Sequence, residues 1–441
     1  MKKVLIIAYY YPPIAGGGVQ RTAKFVKYLP ECGWQPYVLT VKQGYDYYTD
    51  PTLTKDVSER ALVFRTNSVE PMQFIRKLLK NQTEQQLHSG QQKRMSGGKI
   101  KKHPWLLLIK ESIFIPDGEI GWLPFGVLKG LKIIKDQQID LIYSTSCPYT
   151  DHLIAYWLKK RTDKPWLADF RDPWSLHMKA PQFAWRKFWD QTLEKRVLSA
   201  ADRTITVTPQ IAEDFRQIYP QGNYGVITNG YDDDDFQNIE SSPYRLPKFT
   251  VTYTGILFKE QSPKYFLEAV AKLLSERPEL KNDLRIRFIG QLDNPGETTN
   301  YNYLKQFNLG AIVEFIPYIS HQKIINYLGA TDVALLIVDQ VKNSEGIMTG
   351  KIFEYLRSGA AILALVPPNG AAAEVVRETN SGLVVKGTSI TGIKSAILEL
   401  YLSYKNGSLS RQFKRQGIAK YNRRQLTQTL ANEFEQLIQK V

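Results

Sequence analysis

The stretch from Asn343 to Leu365, NSEGIMTGKIFEYLRSGAAILAL, gathers residue types suited to holding a phosphate ester. Its pattern reads as loop, helix start, amphipathic helix and buried strand. Gly346 and Gly350 allow close backbone approach, Thr349 is placed to cap the helix, and Lys351 falls in the first turn. Free amides, the positive end of the helix dipole and an ammonium then converge on one point, an arrangement that suits a diphosphate. Glu354 follows Lys351 by three residues and shares its helix face, where a carboxylate can accept two ribose hydroxyls. An ordinary capped helix with Lys351 and Glu354 turned to water fits the same spacing.

A second set of reactive residue types lies in SCPYTDHLIAYWLKKRTDKPWLADFRDPWS, residues 146–175. A strand end, a helix and another strand end there bring His152, Asp169, Arg171, Asp172 and Trp174 to one edge of a parallel sheet. Open α/β sheets bind their ligands at such edges. The competing reading is a structural ion network of Asp169, Arg171 and Asp172. A third feature is the glycine run Gly16, Gly17 and Gly18, between an apolar strand and a helix whose Val19, Phe25, Val26 and Leu29 recur at helical spacing. Its amides can reach a phosphate, or the run is a plain flexible turn.

The elements that position these residues follow a repeated strand–helix rhythm. Lys2 to Ala8 is a continuous apolar run, as in a parallel strand buried on both faces. PYVLTV, Leu62 to Thr66, LIYSTS, PWLAD and ADRTITVT continue the strands, with helices expected over Pro124–Lys135, Phe188–Leu198 and Gln210–Ile218. A polar linker, SSPYRLPK at 241–248, precedes a second series: FTVTYTGIL, a helix over Pro263–Leu274, LRIRFIG, VEFIPYI, ATDVALLIV and AILAL. The pattern implies two α/β domains, residues 1–240 and 249–420, followed by a last helix at 421–441.

Composition agrees with two cores. The 441 residues are 43% apolar and 12% aromatic, enough for two domains. Cys32 and Cys147 are the two cysteines, too few for a disulfide scaffold and consistent with a reducing cytoplasm. No apolar run approaches the roughly 20 residues of a spanning helix. The four contiguous acids Asp232–Asp235 point in divergent directions and read as an exposed turn, not as a metal site. A formal charge of +15 favours anionic partners. Part of it lies in an insertion at 76–102, with eight Lys or Arg against one Glu, the apolar Phe74, Ile75, Leu78 and Leu79 around its start, and Trp105 and Phe114 after it. Such a segment suits an anchor on an anionic membrane surface, or is a solvated loop.

The glycine run, STSCPYTDHL with ADFRDPW, VITNGYD and TGKIFEYLRSGAAILAL come in the order found in retaining glycosyltransferases of family 4, which the chain resembles over nearly its whole length. The resemblance implies the GT-B fold: two Rossmann-like domains facing each other across a cleft, with the last helix crossing back to the N-terminal acceptor domain. It implies donor contacts from Gly17, Gly18, Gly255, Gly290, Tyr318, Glu345, Thr349, Gly350, Lys351 and Glu354. Lys351, Lys259, His152, Asp169 and Arg171 would be the catalytic set, with His152, Asp169, Arg171 and Asp172 on the acceptor side. Glu354 matches the second Glu of the family's Glu-x7-Glu motif. The first is replaced by Gly346, with Glu345 the nearest acid. After Gly255, where the family often has Arg and Lys, only Lys259 or Lys264 is at hand.

The activity so implied is transfer from a UDP- or GDP-sugar to a glycan or polyprenyl-phosphate-linked acceptor, in cell-envelope polysaccharide synthesis at the inner face of the cytoplasmic membrane. It needs neither a metal nor a cofactor. The alternative is a non-catalytic RNA- or polyanion-binding protein on a Rossmann scaffold. The charge supports it, but no aromatic–basic RNA-binding pattern is present.

Overall fold

The computed structural model describes residues 1–14, 17–42, 51–69, 114–176, 183–237, 239–240, 242–257, 261–293, 298–338 and 344–439. Lys259 and the basic insertion at 76–102 lie outside the described residues. The chain divides into two units, 1–228 with 423–441, and 229–422.

The first unit carries a seven-stranded parallel sheet of order β3-β2-β1-β4-β5-β6-β7. Its strands are β1 (Lys2–Ile7), β2 (Trp34–Val41), β3 (Leu62–Thr66), β4 (Leu141–Ser146), β5 (Trp166–Phe170), β6 (Arg203–Thr206) and β7 (Tyr224–Val226). The main helices are α1 (Gly17–Tyr28), α2 (Pro51–Val57), α3 (Leu123–Gln137), α4 (Thr150–Thr162), α5 (Ala184–Ala200) and α6 (Pro209–Ile218). The apolar run of β1 has the cause expected of it. Leu5 and Ile7 enter one hydrophobic layer while Val4 and Ile6 enter the other, so both faces are covered.

The second unit repeats the plan with six parallel strands of order β10-β9-β8-β11-β12-β13. They are β8 (Phe249–Ile256), β9 (Leu284–Gln291), β10 (Val313–Ile316), β11 (Val333–Ile337), β12 (Ala361–Leu365) and β13 (Gly382–Val385). The main helices are α7 (Lys264–Glu276), α8 (Thr299–Gln306), α9 (His321–Gly329), α10 (Lys351–Ser358), α11 (Ala371–Glu378) and α12 (Ile390–Lys405). The last helix, α13 (Arg423–Ile438), belongs to the first unit. There Leu426, Leu430 and Phe434 are buried, the Phe434 ring lying 5.1 Å from that of Trp34.

In each sheet the strand order reverses once, between β1 and β4 and between β8 and β11. The crevice outside the carboxyl ends of the strands at such a reversal is where ligands bind in open α/β sheets. Two expected boundaries move: the leading segment of the first unit ends at Thr228 where a domain to residue 240 was expected, which leaves 229–240 in the second unit. The helix anticipated at Phe188 starts four residues earlier, at Ala184, because its first turn carries Trp185 on an exposed face and so breaks the inward apolar pattern.

Candidate active site

Beside the β8/β11 reversal, β8 and its neighbour β9 each carry a glycine one residue before the strand end, and the two are partners in the ladder, Gly255 opposite Gly290. Both hold left-handed backbone, φ +117° and +128°. A Cβ on Gly290 would come within 2.3 Å of the Gly255 carbonyl oxygen, so no side chain fits there. A Cβ on Gly255 would come 2.9 Å from Lys351 Nζ. The ammonium therefore occupies the space that glycine leaves at the strand end.

Helix α10 delivers Lys351 to this point because its buried face, Ile352, Phe353, Tyr355 and Leu356, packs into the core. Tyr355 fixes the height of the helix against β8. Its hydroxyl accepts from the Thr254 amide at 3.0 Å and lies 3.1 Å from the Thr254 hydroxyl. Arg357, two residues further on, pairs with Asp233. The helix begins at Lys351 with Gly350 as its cap residue and no side-chain capping bond. Thr349, the expected cap, instead has its hydroxyl buried with no hydrogen-bond partner among the described residues. No described atom lies within 4 Å of a Cβ built on Gly350, so the helix start is open.

Lys351 Nζ donates to Tyr253 Oη at 2.8 Å and stands 4.2 Å above that ring. Burial lowers its pKa to about 7, the Glu354 carboxylate offsetting part of the loss. Glu354 Oε1 is 2.8 Å from His321 Nε2, at the start of α9. Tyr318 is exposed in the loop before it. Glu345 is exposed too, and its carbonyl oxygen accepts from the Ala371 amide at 2.8 Å, tying the loop before α10 to the start of α11. Lys264 opens α7 with its ammonium 5.7 Å from the rings of Tyr265 and Tyr303.

The first unit arranges its residues differently from the sequence expectation. Asp169 is fully buried and its partner is Arg21, Nε to Oδ2 at 2.8 Å and Nη2 to Oδ1 at 3.0 Å. Tyr143 also donates to it at 2.6 Å. Burial opposes ionisation of this carboxyl, yet the Arg21 guanidinium and the Tyr143 bond hold it below the usual carboxylate range. The supposed network of Asp169, Arg171 and Asp172 is thus replaced. Arg171 donates to the carbonyls of Ser146 and, at 3.0 Å, Cys147, while Asp172 is exposed beside the Cys147 thiol. Gly18, at the start of α1, packs on Arg171, since a Cβ there would fall 1.6 Å from Nη1. The β1/β4 reversal therefore joins Gly18 with Arg171.

His152 is sealed in the interior, Nδ1 2.8 Å from Ser144 Oγ and its ring stacked at 4.1 Å on Phe170. Burial pushes its pKa down to about 3. It serves as a neutral core residue between α4 and β5. Sequence reasoning missed His321, Tyr253, Tyr355 and Arg21, whose partners lie 33 to 148 positions away. A groove of about 590 Å³ lined by Lys160, Asp163, Arg196 and Asp202 sits away from these sites. It lies where Asp163 and Asp202 precede β5 and β6, the amino edge of the sheet.

Two doubly wound parallel sheets, each with a glycine-bearing crevice at its reversal, define the GT-B architecture. The chain is similar to glycosyltransferases of family 4: residues 93–235 match the family described as Glycosyltransferase Family 4, and residues 234–420 match Glycosyl transferases group 1. A D-inositol 3-phosphate glycosyltransferase of Catenulispora acidiphila is 24% identical over 221 residues, 46% of this chain and 50% of that protein. The corresponding enzyme of Streptomyces avermitilis is 24% identical over 44% of this chain and 43% of its own length. The chain thus spans about half the length of the curated relatives it matches. Among solved structures, sucrose-phosphate synthase of Thermosynechococcus elongatus superposes with TM-score 0.65 at 16% identity over 100% of both chains. An E. coli trehalose-6-phosphate structure bound with UDP-2-fluoro glucose gives 0.63 at 11% over 99% of both.

Proposed function

We propose that this chain moves a glycosyl unit from a nucleotide-sugar to a hydroxyl acceptor with retention of configuration and without a metal ion. The observation that carries the reading is the Lys351 ammonium held against the Gly255 and Gly290 strand ends, one helical turn from Glu354. The amides at the open start of α10 and the ammonium would bind the diphosphate, and Glu354 the ribose hydroxyls. In the reaction the sugar C1–oxygen bond to the diphosphate breaks, and C1 bonds to the acceptor oxygen on the same face. The acceptor proton passes to the departing phosphate oxygen. Lys351 and the helix amides stabilise the negative charge that gathers on the leaving group, the task a divalent cation performs elsewhere.

The acceptor proposed is a glycan or lipid-linked sugar of the cell envelope, with the chain peripheral to an anionic membrane. The basic segment at 76–102 supports that reading from its composition. A panel of UDP- and GDP-sugars in hydrolysis and transfer assays tests the function, with polyprenyl-phosphate sugars and D-inositol 3-phosphate among the acceptors. One nucleoside diphosphate is expected to raise the melting temperature, as a ligand of the native state must. No turnover and no thermal shift with any member overturns the reading.

A further inference from the structure

Helix α5 is turned inside out over its first three turns, while Val197 and Leu198 near its end are buried in the core. Its buried side includes Arg186, Asp190 and Glu194, and its outward side carries Trp185, Phe188 and Trp189. The inward charges have partners. Arg186 Nε pairs with Asp190 Oδ2 at 2.7 Å, and Asp190 Oδ1 accepts from the Trp174 indole at 3.1 Å. Glu194 accepts from the Trp174 amide at 2.9 Å and from the Ser175 hydroxyl and amide. Both acids of the helix thus face inward.

The outward side has a composition of its own. Phe188 is 63% exposed, Trp189 50% and Trp185 37%, and their spacing puts all three on one face. The charged residues exposed on the helix are Lys187, Lys195 and Arg196, all cationic, with no exposed acid among them. The neighbouring helix α4 repeats the pairing, with Trp157 42% exposed and the Arg161 guanidinium 4.9 Å from its ring.

Large aromatics left in water are unfavourable for a helix that already has a polar interior to satisfy, so this face implies a surface that covers it. Lysine is depleted where proteins meet proteins. Tryptophan beside lysine and arginine suits a bilayer interface, where rings sit at headgroup level and long cationic stems reach the phosphates. The exclusively positive charge matches an anionic leaflet.

We propose that the outward face of α5 docks the first unit onto an anionic lipid surface, with Trp185, Phe188 and Trp189 entering the headgroup boundary and Lys195 and Arg196, on the same side of the helix, meeting lipid phosphates. The inference rests on the membrane reading above and gives it a surface separate from the segment at 76–102. None of these five residues belongs to the proposed donor or acceptor machinery.

The experiment uses the full chain with vesicles of phosphatidylcholine alone and of phosphatidylcholine with phosphatidylglycerol, some carrying brominated lipid. Wild type is expected to sediment with the anionic vesicles only, to release as salt screens the charges, and to lose tryptophan emission to bromine. The W185S/F188S/W189S variant is expected to lose at least tenfold in vesicle affinity and most of the quenching. K195E/R196E is expected to lose binding and its salt dependence. Both should keep wild-type hydrolysis of the donor, which separates misfolding from lost docking. Replacing 76–102 by a neutral linker should leave quenching that still depends on α5. If the aromatic variant binds like wild type while the linker variant does not, α5 is not the docking face and the membrane reading stands. Wild type that binds no vesicle overturns both. Aromatic substitutions that turn a dimer into a monomer with no change in lipid binding identify a subunit contact and overturn the docking face.

Discussion

Glu354 Oε1 lies 2.8 Å from His321 Nε2, joining the helix that carries the phosphate-site lysine to the start of α9. A carboxylate only accepts, so the imidazole donates from Nε2 and leaves the other lone pairs of Glu354 for a ligand. In the proposed role those lone pairs take ribose hydroxyls, and His321 sets the rotamer. His321→Ala is expected to weaken the preferred nucleoside diphosphate several-fold, and Glu354→Ala more. The readout is discrimination against the 2′-deoxynucleotide, which both variants should lose. The double variant should fall short of the sum of the singles, because contacting residues couple by roughly 0.5–3 kcal/mol. Unchanged discrimination in both singles removes Glu354 from the ribose.

Gly255 and Gly290 are neighbours in the ladder with similar backbone, yet their alanine variants should fail in different ways. A Cβ on Gly290 meets the Gly255 carbonyl at 2.3 Å, backbone that cannot yield, whereas a Cβ on Gly255 meets the end of a flexible lysine at 2.9 Å. Both pay left-handed strain of about 1–3 kcal/mol. Gly290→Ala is expected to cost more stability in chemical denaturation. Gly255→Ala should cost more turnover for each kcal/mol of stability lost, because it moves the Lys351 ammonium. Equal loss of turnover and stability in the two variants would contradict this division.

The strands and the helix of the phosphate site were legible because each depends on local pattern. Val4 to Ile7 alternate between two apolar layers, and a continuous apolar run is how that arrangement reads in sequence. Lys351 and Glu354 share a face by helical spacing alone. The run Asp169, Arg171 and Asp172 misled for the converse reason: nearness in sequence suggested an ion network, while Asp169 pairs with Arg21, 148 positions away. The start of α5 was hidden because its aromatics face outward, against the rule that places apolar residues inside. His152 had the residue type for acid–base chemistry, and only packing against Phe170 reveals it as interior.

The Arg21–Asp169 pair yields a prediction about stability. Both side chains are fully buried, so Asp169→Asn leaves a guanidinium without its counter-charge. Breaking one side of a buried pair costs about 3–5 kcal/mol. Arg21 keeps its bonds to the carbonyls of Ile227, at 2.9 Å, and Thr228, at 2.8 Å, so the low end of that range is expected. Asp172→Asn, at an exposed position, should be neutral within about 0.5 kcal/mol. Urea denaturation of the two variants measures the contrast. An Asp169→Asn protein as stable as wild type would refute the placement of this carboxylate as structural.

Lys351 links the site to pH. Burial lowers its pKa to about 7 from an ordinary value of 10.5, so between those values the unfolded chain holds a proton that the folded chain lacks. Stability therefore gains from this group as pH rises from 7 to 10.5 and shows no slope from it below 7, where both states are protonated. Ligand binding runs the other way. A diphosphate needs the ammonium, and its terminal phosphate, with a second pKa near 6, is already fully ionised above pH 7. Affinity for the preferred nucleoside diphosphate should fall above pH 7, approaching about tenfold per pH unit, with proton uptake on binding. Lys351→Arg, charged throughout, should give a flat profile, and Lys351→Met a weak and flat one. Calorimetry in buffers of different ionisation enthalpy reads the proton directly. A wild-type affinity that stays level from pH 6.5 to 9, with no proton taken up, would show that the ammonium does not meet the diphosphate.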